Sequence, residues 1–322
     1  MDKRICVVGG GYWGKNHIRT LYEMGAIGGI VESNKQLLSA LLNKYKGIKG
    51  YSNVDEALMD QYDGYIVATP AETHFEIARA IIIKKKHVLI EKPMALSVSD
   101  AEDLVALAED NMVNVLVGHV LLFHPAIIKI KEMIDENIIG ELQYIYSNRL
   151  NLGKVRSEEN VFWSLAPHDI AIFQYLTNSY PKKILATGST FLQKGIPDST
   201  LTHLEYNSGV EGHIFVSWLH PFKEHRLVVI GSKSMITFED SLKGKPLKLY
   251  SKKFDLVNGV PEKIDGPVDW IPYEQKMPLT AEIEYFLGHL NNKKSFVADV
   301  HHGLEVVKIL VEAEKQLKNE KK

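Results

Sequence analysis

Apolar and polar positions alternate between two patterns along the first 120 residues. Short, continuous apolar runs lie at 4–8, 27–31, 64–68, 87–90 and 114–118. Between them, apolar residues recur every three or four positions, in the stretches 14–24, 35–45, 73–83 and 97–110. Continuous runs are typical of strands buried on both faces, and the wider spacing is typical of helices that bury one face. The alternation predicts an α/β domain built on a doubly wound parallel sheet.

The pattern changes after about residue 120. A helical pattern over 125–136 begins with a proline, which the first turn of a helix tolerates. Longer alternating stretches follow, at 141–150, 183–192, 199–206, 210–219 and 223–231. Asn-Ser-Gly at 207–209 predicts a hairpin between two of them. Helical patterns return at 279–291 and 301–318, and we expect 243–270, rich in Lys, Gly and Pro, to be irregular. This half predicts an α+β domain with a large, mainly antiparallel open sheet, covered by helices on one face.

Length and composition are those of a globular protein with two domains. The chain has 322 residues, of which 45% are hydrophobic and 24% charged. We predict one domain over 1–120 and a second over 121–322. The net charge of −2 creates no field that favours nucleic acid or an anionic membrane, so we expect neither as a partner. No secretory signal is recognisable, and the single cysteine, Cys6, cannot form an internal disulfide. Both features favour the cytoplasm.

A glycine motif follows the first apolar run and opens the first helical pattern. Gly9, Gly11 and Gly14 satisfy G-x-G-x-x-G in the context that a dinucleotide site requires. Gly9 permits a tight turn, Gly11 the approach of a pyrophosphate, and Gly14 the close packing of helix against strand. Free N–H groups at the helix N-terminus bind phosphate. The motif therefore predicts a dinucleotide-binding Rossmann domain rather than an ordinary glycine-rich turn.

Glu32 ends the second apolar run, 23 residues past Gly9. A carboxylate at this position accepts hydrogen bonds from ribose hydroxyls and repels a 2′-phosphate. We therefore expect NAD rather than NADP as the cofactor, although Ser33 and Lys35 offer a phosphate two partners nearby.

Two segments with polar residues follow the fourth and fifth apolar runs, VATPAETH at 67–74 and VLIEKPMA at 88–95. Ligands of open α/β sheets bind at the carboxyl ends of the strands, where both segments lie. Lys92, followed by Pro93, is placed there to reach a nicotinamide and a reacting hydroxyl. From this pattern alone, a solvated lysine at the end of a strand remains the simpler interpretation.

The motifs GGGYWG, ATPAETH and HVLIEKPMA, in this order and spacing, resemble those of the Gfo/Idh/MocA family of NAD(P)-dependent sugar and polyol dehydrogenases. The resemblance covers the full chain and includes its division into two domains. It implies that Lys92, the lysine of E-K-P, lies beside nicotinamide and substrate. It also implies that His168, in FWSLAPHDI, is the family's catalytic acid or base. His168 is then the general base and Lys92 the cation that orients the hydroxyl, with Lys92 as the base in the alternative.

The histidine motif departs from the family pattern. Ser164 stands where the family often has aspartate, and Ala166 where it has glycine. The usual carboxylate partner of His168 is therefore missing from the motif. Asp169 is adjacent in sequence, which does not require it to face the same way.

Longer segments are similar to one group within the family, the 3-dehydrogenases of UDP-N-acetylglucosamine or its uronate in surface-polysaccharide biosynthesis. They are GYWGKN at 11–16, GHVLLFHPA at 118–126, YIYSNRLNLGKVRSEEN at 144–160 and APHDI at 166–170. This similarity implies oxidation of the sugar C3 hydroxyl to a ketone, which an aminotransferase would convert to an amine.

The remaining site residues follow from these motifs. We assign cofactor contacts to Gly9, Gly11, Tyr12, Trp13, Gly14, Glu32, Thr69, Pro70, His74, Glu91, Lys92 and Trp163. Core packing is the alternative for both tryptophans. We assign substrate contacts to Lys92, Arg149, Asn151, Arg156 and His168, and Lys154 lies in the same basic run. Guanidinium forks and amides suit a diphosphate or a uronate carboxylate, and solvated basic residues are the alternative.

Three further expectations complete the interpretation. His301 and His302 point about 100° apart on a helix, so they form a poor chelating pair, and we expect no metal. A broad sheet with an uncovered face predicts a homodimer or homotetramer. Reduction of a keto sugar with NAD(P)H and a non-catalytic NAD-sensing regulator are the alternative functions.

Overall fold

The computed structural model describes residues 3–153, 155–157, 159–291 and 293–319. Lys154, one of the basic residues named above, lies outside the described residues. The chain forms two compact units. The first comprises the chain through Phe123 together with Lys276–Lys308, and the second comprises His124–Gln275 with the end of the chain from Ile309.

The described residues contain strands β1 (Ile5–Val8), β2 (Ile27–Val31), β3 (Lys49–Tyr51), β4 (Gly64–Val67), β5 (His87–Glu91), β6 (Val115–Gly118), β7 (Leu142–Leu150), β8 (Pro181–Ser189), β9 (Ser199–Tyr206), β10 (Glu211–Ser217), β11 (Glu224–Gly231), β12 (Met235–Glu239), β13 (Leu247–Tyr250), β14 (Lys253–Val257), β15 (Val260–Ile264) and β16 (Val268–Trp270). The helices are α1 (Tyr12–Glu23), α2 (Lys35–Lys44), α3 (Val54–Leu58), α4 (His74–Ile83), α5 (Val98–Asn111), α6 (Pro125–Asp135), α7 (Val161–Thr177), α8 (Pro278–Gly288) and α9 (Val300–Asn319).

The first unit is built on one parallel sheet with the strand order β3-β2-β1-β4-β5-β6. Every residue of β1, β4, β5 and β6 is buried, which is why these strands are continuous apolar runs in the sequence. This strand order is that of a doubly wound dinucleotide-binding domain, and the prediction of that fold is confirmed. The carboxyl ends of β1, β4 and β5 therefore meet at one edge of the sheet.

The first unit also contains a segment of the predicted second domain, 121–322. Residues 276–308 belong to the first unit. The side chains of Phe286 and Leu290 approach Gly64 of β4 so closely that a Cβ there would lie 3.0 and 2.8 Å from them. The backbone N–H of Val117 in β6 donates to the carbonyl of Ala298 at 2.8 Å. This segment therefore packs on the parallel sheet, where it covers apolar surface at β4 and forms a backbone hydrogen bond with β6.

The second unit is built on a mixed sheet with the order β16-β13-β12-β11-β7-β10-β9-β8. Its pairs are antiparallel except for β7 with β10, which confirms a mainly antiparallel sheet. α7 packs against β7, β9 and β10, and a Cβ at Gly212 in β10 would lie 2.8 Å from the Phe173 ring of α7. The predicted hairpin joins β9 to β10, with Gly209 at a φ of +86°.

The expectation that 243–270 is irregular was wrong. This stretch contains β13, β14, β15 and β16, and β14 and β15 form a hairpin of their own. The turn of that hairpin is Asn258-Gly259, with φ of +51° and +80°. Asn-Gly is the preferred pair for a two-residue hairpin turn, because both residues tolerate a positive φ. The abundance of Lys, Gly and Pro had concealed this local signal.

Candidate active site

The glycine motif forms a close-packed turn between β1 and α1 in the first unit. Gly9 has a φ of +99°, and a Cβ there would lie 2.7 Å from the carbonyl oxygen of Ala68. A Cβ on Gly14 would lie 1.9 Å from the carbonyl oxygen of Gly9. A Cβ on Gly11 would have no atom within 4 Å. Two of the glycines therefore serve internal packing, and the third faces open space where a pyrophosphate fits against the N-terminus of α1.

Glu32 follows β2 and faces this turn. Its Oε2 accepts a hydrogen bond from the backbone N–H of Gly10 at 2.8 Å, and its Oε1 accepts from the backbone N–H of Asn34 at 2.8 Å. The two bonds fix the carboxylate beside the glycine turn. A carboxylate oxygen accepts more than one hydrogen bond, so the group retains capacity for ribose hydroxyls. The residues present fit a dinucleotide.

Tyr12 and Trp13 begin α1. Their side chains are exposed, with relative exposures of 84% and 36%, and their rings meet edge to face at 6.1 Å. Trp13 is thus not an ordinary core residue, and its contact with the cofactor stays a prediction. Trp163, in α7 of the second unit, is buried, as its core-packing alternative requires.

His74 ties together the loops that follow β4 and β5. Its Nδ1 lies 2.8 Å from the carbonyl oxygen of Pro93, and its Nε2 lies 2.9 Å from the carbonyl oxygen of Thr69. The Thr69 hydroxyl accepts from the Thr73 hydroxyl at 2.8 Å. His74 is 1% exposed, and its two ring nitrogens connect the loop that follows β4 to the loop that follows β5. Thr69 and Pro70 on one loop and Lys92 on the other consequently share the same edge of the sheet.

A buried acidic cluster lies next to Lys92 in the first unit. Glu91 Oε1 is joined to His17 Nε2 at 2.7 Å, and Glu91 Oε2 accepts from the backbone N–H of Lys92 at 3.2 Å. Glu282 of α8 is fully buried, and neither of its carboxyl oxygens has a hydrogen-bond partner among the described residues. Burial, and then the charge of Glu91, raise the pKa of Glu282 well above its usual range. Burial and the charge of Glu91 therefore favour the protonated, neutral form of Glu282.

Sequence reasoning missed His17 and Glu282. His17 lies three residues past Gly14, in the helix that the glycine motif opens. This short distance from the motif could have indicated that His17 belongs to the site. Glu282 lies in the returning segment, far along the chain, and its pattern gave no sign that α8 packs on α1.

His168 and Asp169 are consecutive residues of α7 in the second unit, and they have different surroundings. Asp169 pairs with Arg149 of β7, through Nε to Oδ2 at 2.6 Å and Nη2 to Oδ1 at 3.1 Å. Both carboxylate oxygens of Asp169 therefore accept hydrogen bonds from Arg149. Ser164 lies one helical turn before His168, on the same face of α7.

The basic residues of 149–156 do not form one exposed group. Arg149 is 8% exposed and its fork is occupied by Asp169. Arg156 is exposed and pairs with Glu159 at 3.1 Å. The backbone N–H of Asn151 donates to the carbonyl of Ser217 at 3.1 Å, which extends the pairing of β7 and β10 by one bond. Asn151 and Arg156 stay predicted substrate contacts, whereas the geometry of Arg149 differs from that of a solvent-facing anion ligand.

The described residues contain no group of three or more His, Cys, Asp or Glu side chains arranged to hold a metal ion. Among the helices of the same residues, none has the length and apolar character needed to cross a membrane.

Comparison with known proteins identifies the family. Residues 3–119 match the model of an oxidoreductase family with an NAD-binding Rossmann fold, and residues 127–237 match the Gfo/Idh/MocA C-terminal domain. The two matches together span more than half of the chain. The chain belongs to the Gfo/Idh/MocA oxidoreductases. As in that family, the cofactor is NAD and the reaction is oxidation or reduction at a CH–OH group.

Relatives of this Gfo/Idh/MocA protein include two curated enzymes. UDP-N-acetylglucosamine 3-dehydrogenase of Acidithiobacillus ferrooxidans is 25% identical over 319 residues, which cover 96% of this chain and 97% of the relative. Myo-inositol 2-dehydrogenase of Thermotoga maritima is 24% identical, with 78% of this chain and 79% of the relative covered. The solved structure of the A. ferrooxidans enzyme superposes with a TM-score of 0.86 at 22% identity, covering 98% of this chain and 97% of that one. This structural likeness confirms the fold of both units.

Proposed function

We propose that this protein oxidises the C3 hydroxyl of a UDP-N-acetylglucosamine-type nucleotide sugar to a 3-keto sugar, with NAD⁺ as the oxidant. The observation that carries the proposal is the end-to-end similarity to a UDP-N-acetylglucosamine 3-dehydrogenase, over 96% of the chain. Two features of the first unit support the proposal. The glycine turn and the Glu32 carboxylate beside it suit NAD⁺, and Lys92 at the end of β5 suits a reacting hydroxyl.

In the proposed mechanism, the cofactor supplies the hydride acceptor at C4 of its nicotinamide ring. The N-terminus of α1 binds the pyrophosphate, and Glu32 binds the ribose hydroxyls. His168 accepts the proton of the C3 hydroxyl on an imidazole nitrogen, as general base. The Lys92 ammonium donates a hydrogen bond to the same oxygen and stabilises the negative charge that develops on it. Asn151 and Arg156 bind the diphosphate or a carboxylate of the substrate.

The test is NADH formation by purified protein given NAD⁺, with UDP-N-acetylglucosamine in one arm and its uronate in the other. A carbonyl-trapping reagent or an aminotransferase draws the ketone from an unfavourable equilibrium. NADH growth with one sugar supports the proposal and also identifies the group at C6. Binding of NAD⁺ without NADH growth from either sugar would contradict it, and would favour keto-sugar reduction or NAD sensing.

Two variants test the catalytic assignment. His168→Asn and Lys92→Met are each expected to lower turnover by about 10²–10⁴-fold, the usual contribution of an acid–base group. His301→Asn and Lys84→Met are matched controls, because both side chains are exposed. Normal turnover in His168→Asn together with loss in Lys92→Met would instead make Lys92 the base.

We also propose that the protein is a cytoplasmic enzyme of surface-polysaccharide biosynthesis that forms a homo-oligomer. The sheet of the second unit supports the oligomer, because aromatic and apolar side chains are exposed on the face opposite α7. On it, Tyr146 stacks on His213 at 5.0 Å, and Leu185 and Leu201 are 46% and 44% exposed. Exposed apolar surface of this kind marks an interface.

Sedimentation velocity tests the oligomer. Leu201→Glu places a charge on this face and is expected to produce monomers. Met59→Glu, at an 84% exposed site of the first unit, is the control and should sediment as the wild type does. A wild-type monomer at micromolar concentration would refute the proposal.

A further inference from the structure

We propose that the buried ion pair between Arg149 and Asp169 is a positioning device for His168, and that Arg149 acts through this pair rather than by contact with the substrate. The inference rests on the proposed function, since it assigns His168 the role of general base.

The pair has the geometry of a rigid clamp. Arg149 donates two hydrogen bonds to the two oxygens of one carboxylate, at 2.6 and 3.1 Å, in the planar fork arrangement. The side chains of Arg149 and Asp169 are 10% and 4% exposed. One partner stands on β7, between β10 and β11 in the sheet, and the other stands on α7. The clamp therefore fixes one point of the helix to the middle of the sheet.

The ion pair is attached to α7 close to Pro167. Pro167 lies inside α7, and a proline has no N–H with which to bond the carbonyl four residues earlier. The backbone consequently holds this turn with one hydrogen bond fewer than an uninterrupted helix. His168 follows the proline directly, and Asp169 follows His168. The ion pair thus anchors the helix one residue beyond the proposed base and two residues beyond the proline.

Arg149 is itself held from its other side. Its Nη1 lies 3.4 Å from Nδ1 of His225 in β11, and this nitrogen lies 3.8 Å from Asp240. Asp240 in turn pairs with Lys245 at 2.6 Å. Burial lowers the pKa of His225, although the nearby carboxylate of Asp240 opposes this. The lowered pKa favours the neutral imidazole, which does not repel the guanidinium.

A substrate ligand and a positioning residue respond differently to substitution. If Arg149 touched the substrate, Arg149→Lys would raise KM, and Asp169→Asn would leave turnover largely intact. In the positioning role, both variants lower kcat, by up to about a hundredfold, with KM nearly unchanged, because a misplacement of about 1 Å suffices for such a loss. The double variant is expected to lose no more than either single one, since both substitutions break the same clamp.

The matched control is Arg226→Met. Arg226 also pairs with a carboxylate, that of Glu239, in the same sheet, but the pair is partly exposed and joins β11 to β12 rather than to α7. Its loss should change neither kcat nor KM. A rise in KM for Arg149→Lys with normal kcat, or additive losses in the double variant, would overturn the proposal.

A second readout separates this inference from the proposed function. In protein with isotope-labelled histidine, the NMR signal of His168 is assigned by its loss in His168→Asn. Asp169→Asn should shift or broaden that signal, and Arg226→Met should leave it unchanged, whether or not any nucleotide sugar is oxidised. An unchanged His168 signal in Asp169→Asn would refute positioning. Absence of NADH growth in the wild type with a shifted signal would refute only the proposed function.

Discussion

Adding a single methyl group should lower the stability of the folded protein at one glycine of the motif and leave it unchanged at another. A Cβ on Gly14 would stand 1.9 Å from the carbonyl oxygen of Gly9, whereas a Cβ on Gly11 would meet nothing within 4 Å. Gly11 has a φ of −68° and a ψ of −156°, an extended conformation outside the left-handed region that alanine avoids. Gly14→Ala therefore perturbs the folded protein itself, and Gly11→Ala perturbs only a ligand that approaches the turn.

The magnitude follows from the distance. A Cβ must stand at least 3.0 Å from a backbone oxygen, so Gly14→Ala forces α1 and the turn apart by about 1.1 Å. Overpacking of this kind costs about 1–3 kcal/mol, which corresponds to a fall in Tm of about 2–12 °C for a unit of this size. Gly11→Ala should leave Tm unchanged without NAD⁺. Both variants should weaken NAD⁺ binding by at least about tenfold, because charge-assisted hydrogen bonds to the pyrophosphate are worth about 1.5–3 kcal/mol each.

Thermal unfolding without cofactor and calorimetric titration with NAD⁺ separate the two effects. The reasoning fails if Gly14→Ala unfolds at the wild-type temperature, because α1 would then not pack on the turn as closely as described. It fails equally if Gly11→Ala binds NAD⁺ with wild-type affinity, because the open space beside Gly11 would then not receive the pyrophosphate.

Three further predictions concern buried or charged groups of the first unit. Glu32→Ser should weaken NAD⁺ binding by about tenfold or more, and it should reduce the preference for NAD⁺ over NADP⁺. The preference is measured as the ratio of the two dissociation constants. An unchanged ratio would show that Glu32 does not contact the ribose. Burial raises the pKa of Glu282, so the contribution of this residue to the free energy of unfolding is present at low pH and is lost as pH rises through the folded-state pKa. Glutamine does not ionise, so Glu282→Gln should have a higher urea midpoint than the wild type at alkaline pH. Equal urea midpoints at alkaline pH would show that the carboxyl group is solvated. Burial also raises the pKa of the Cys6 thiol, so a thiol reagent should modify Cys6 only after unfolding, and rapid labelling of native protein would contradict its burial.

Elements with a strong local pattern could be predicted from the sequence. The parallel strands were visible as apolar runs because both of their faces are buried, and the cofactor turn was visible because its glycines are required at fixed offsets. α7 was not predicted as a helix. Most of its residues are buried, which removes the amphipathic period, and Pro167 interrupts it. The Asn258-Gly259 pair is a clear sequence signal for a hairpin turn. We nevertheless predicted an irregular stretch, because 243–270 is rich in Lys, Gly and Pro.

Contacts between distant parts of the chain could not be predicted in the same way. The partner of Asp169 is Arg149, 20 residues earlier, and its identity depends on how α7 lies on the sheet. The parallel pairing of β7 with β10 likewise joins two strands that α7, β8 and β9 separate along the chain. Glu91 and Glu282 come together only through the return of 276–308 to the first unit. Such contacts are determined by topology, which a single sequence specifies only through the whole fold.

The return of 276–308 has a consequence for how the protein is made. A ribosome completes the six strands of the parallel sheet long before it synthesises Phe286, Leu290 and Ala298, which cover β4 and pair with β6. We therefore expect the nascent parallel sheet to keep part of its apolar surface uncovered until residues 276–308 have been synthesised. A chain that stops before residue 276 would contain the glycine turn and all six parallel strands, but it would lack the segment that covers β4 and pairs with β6.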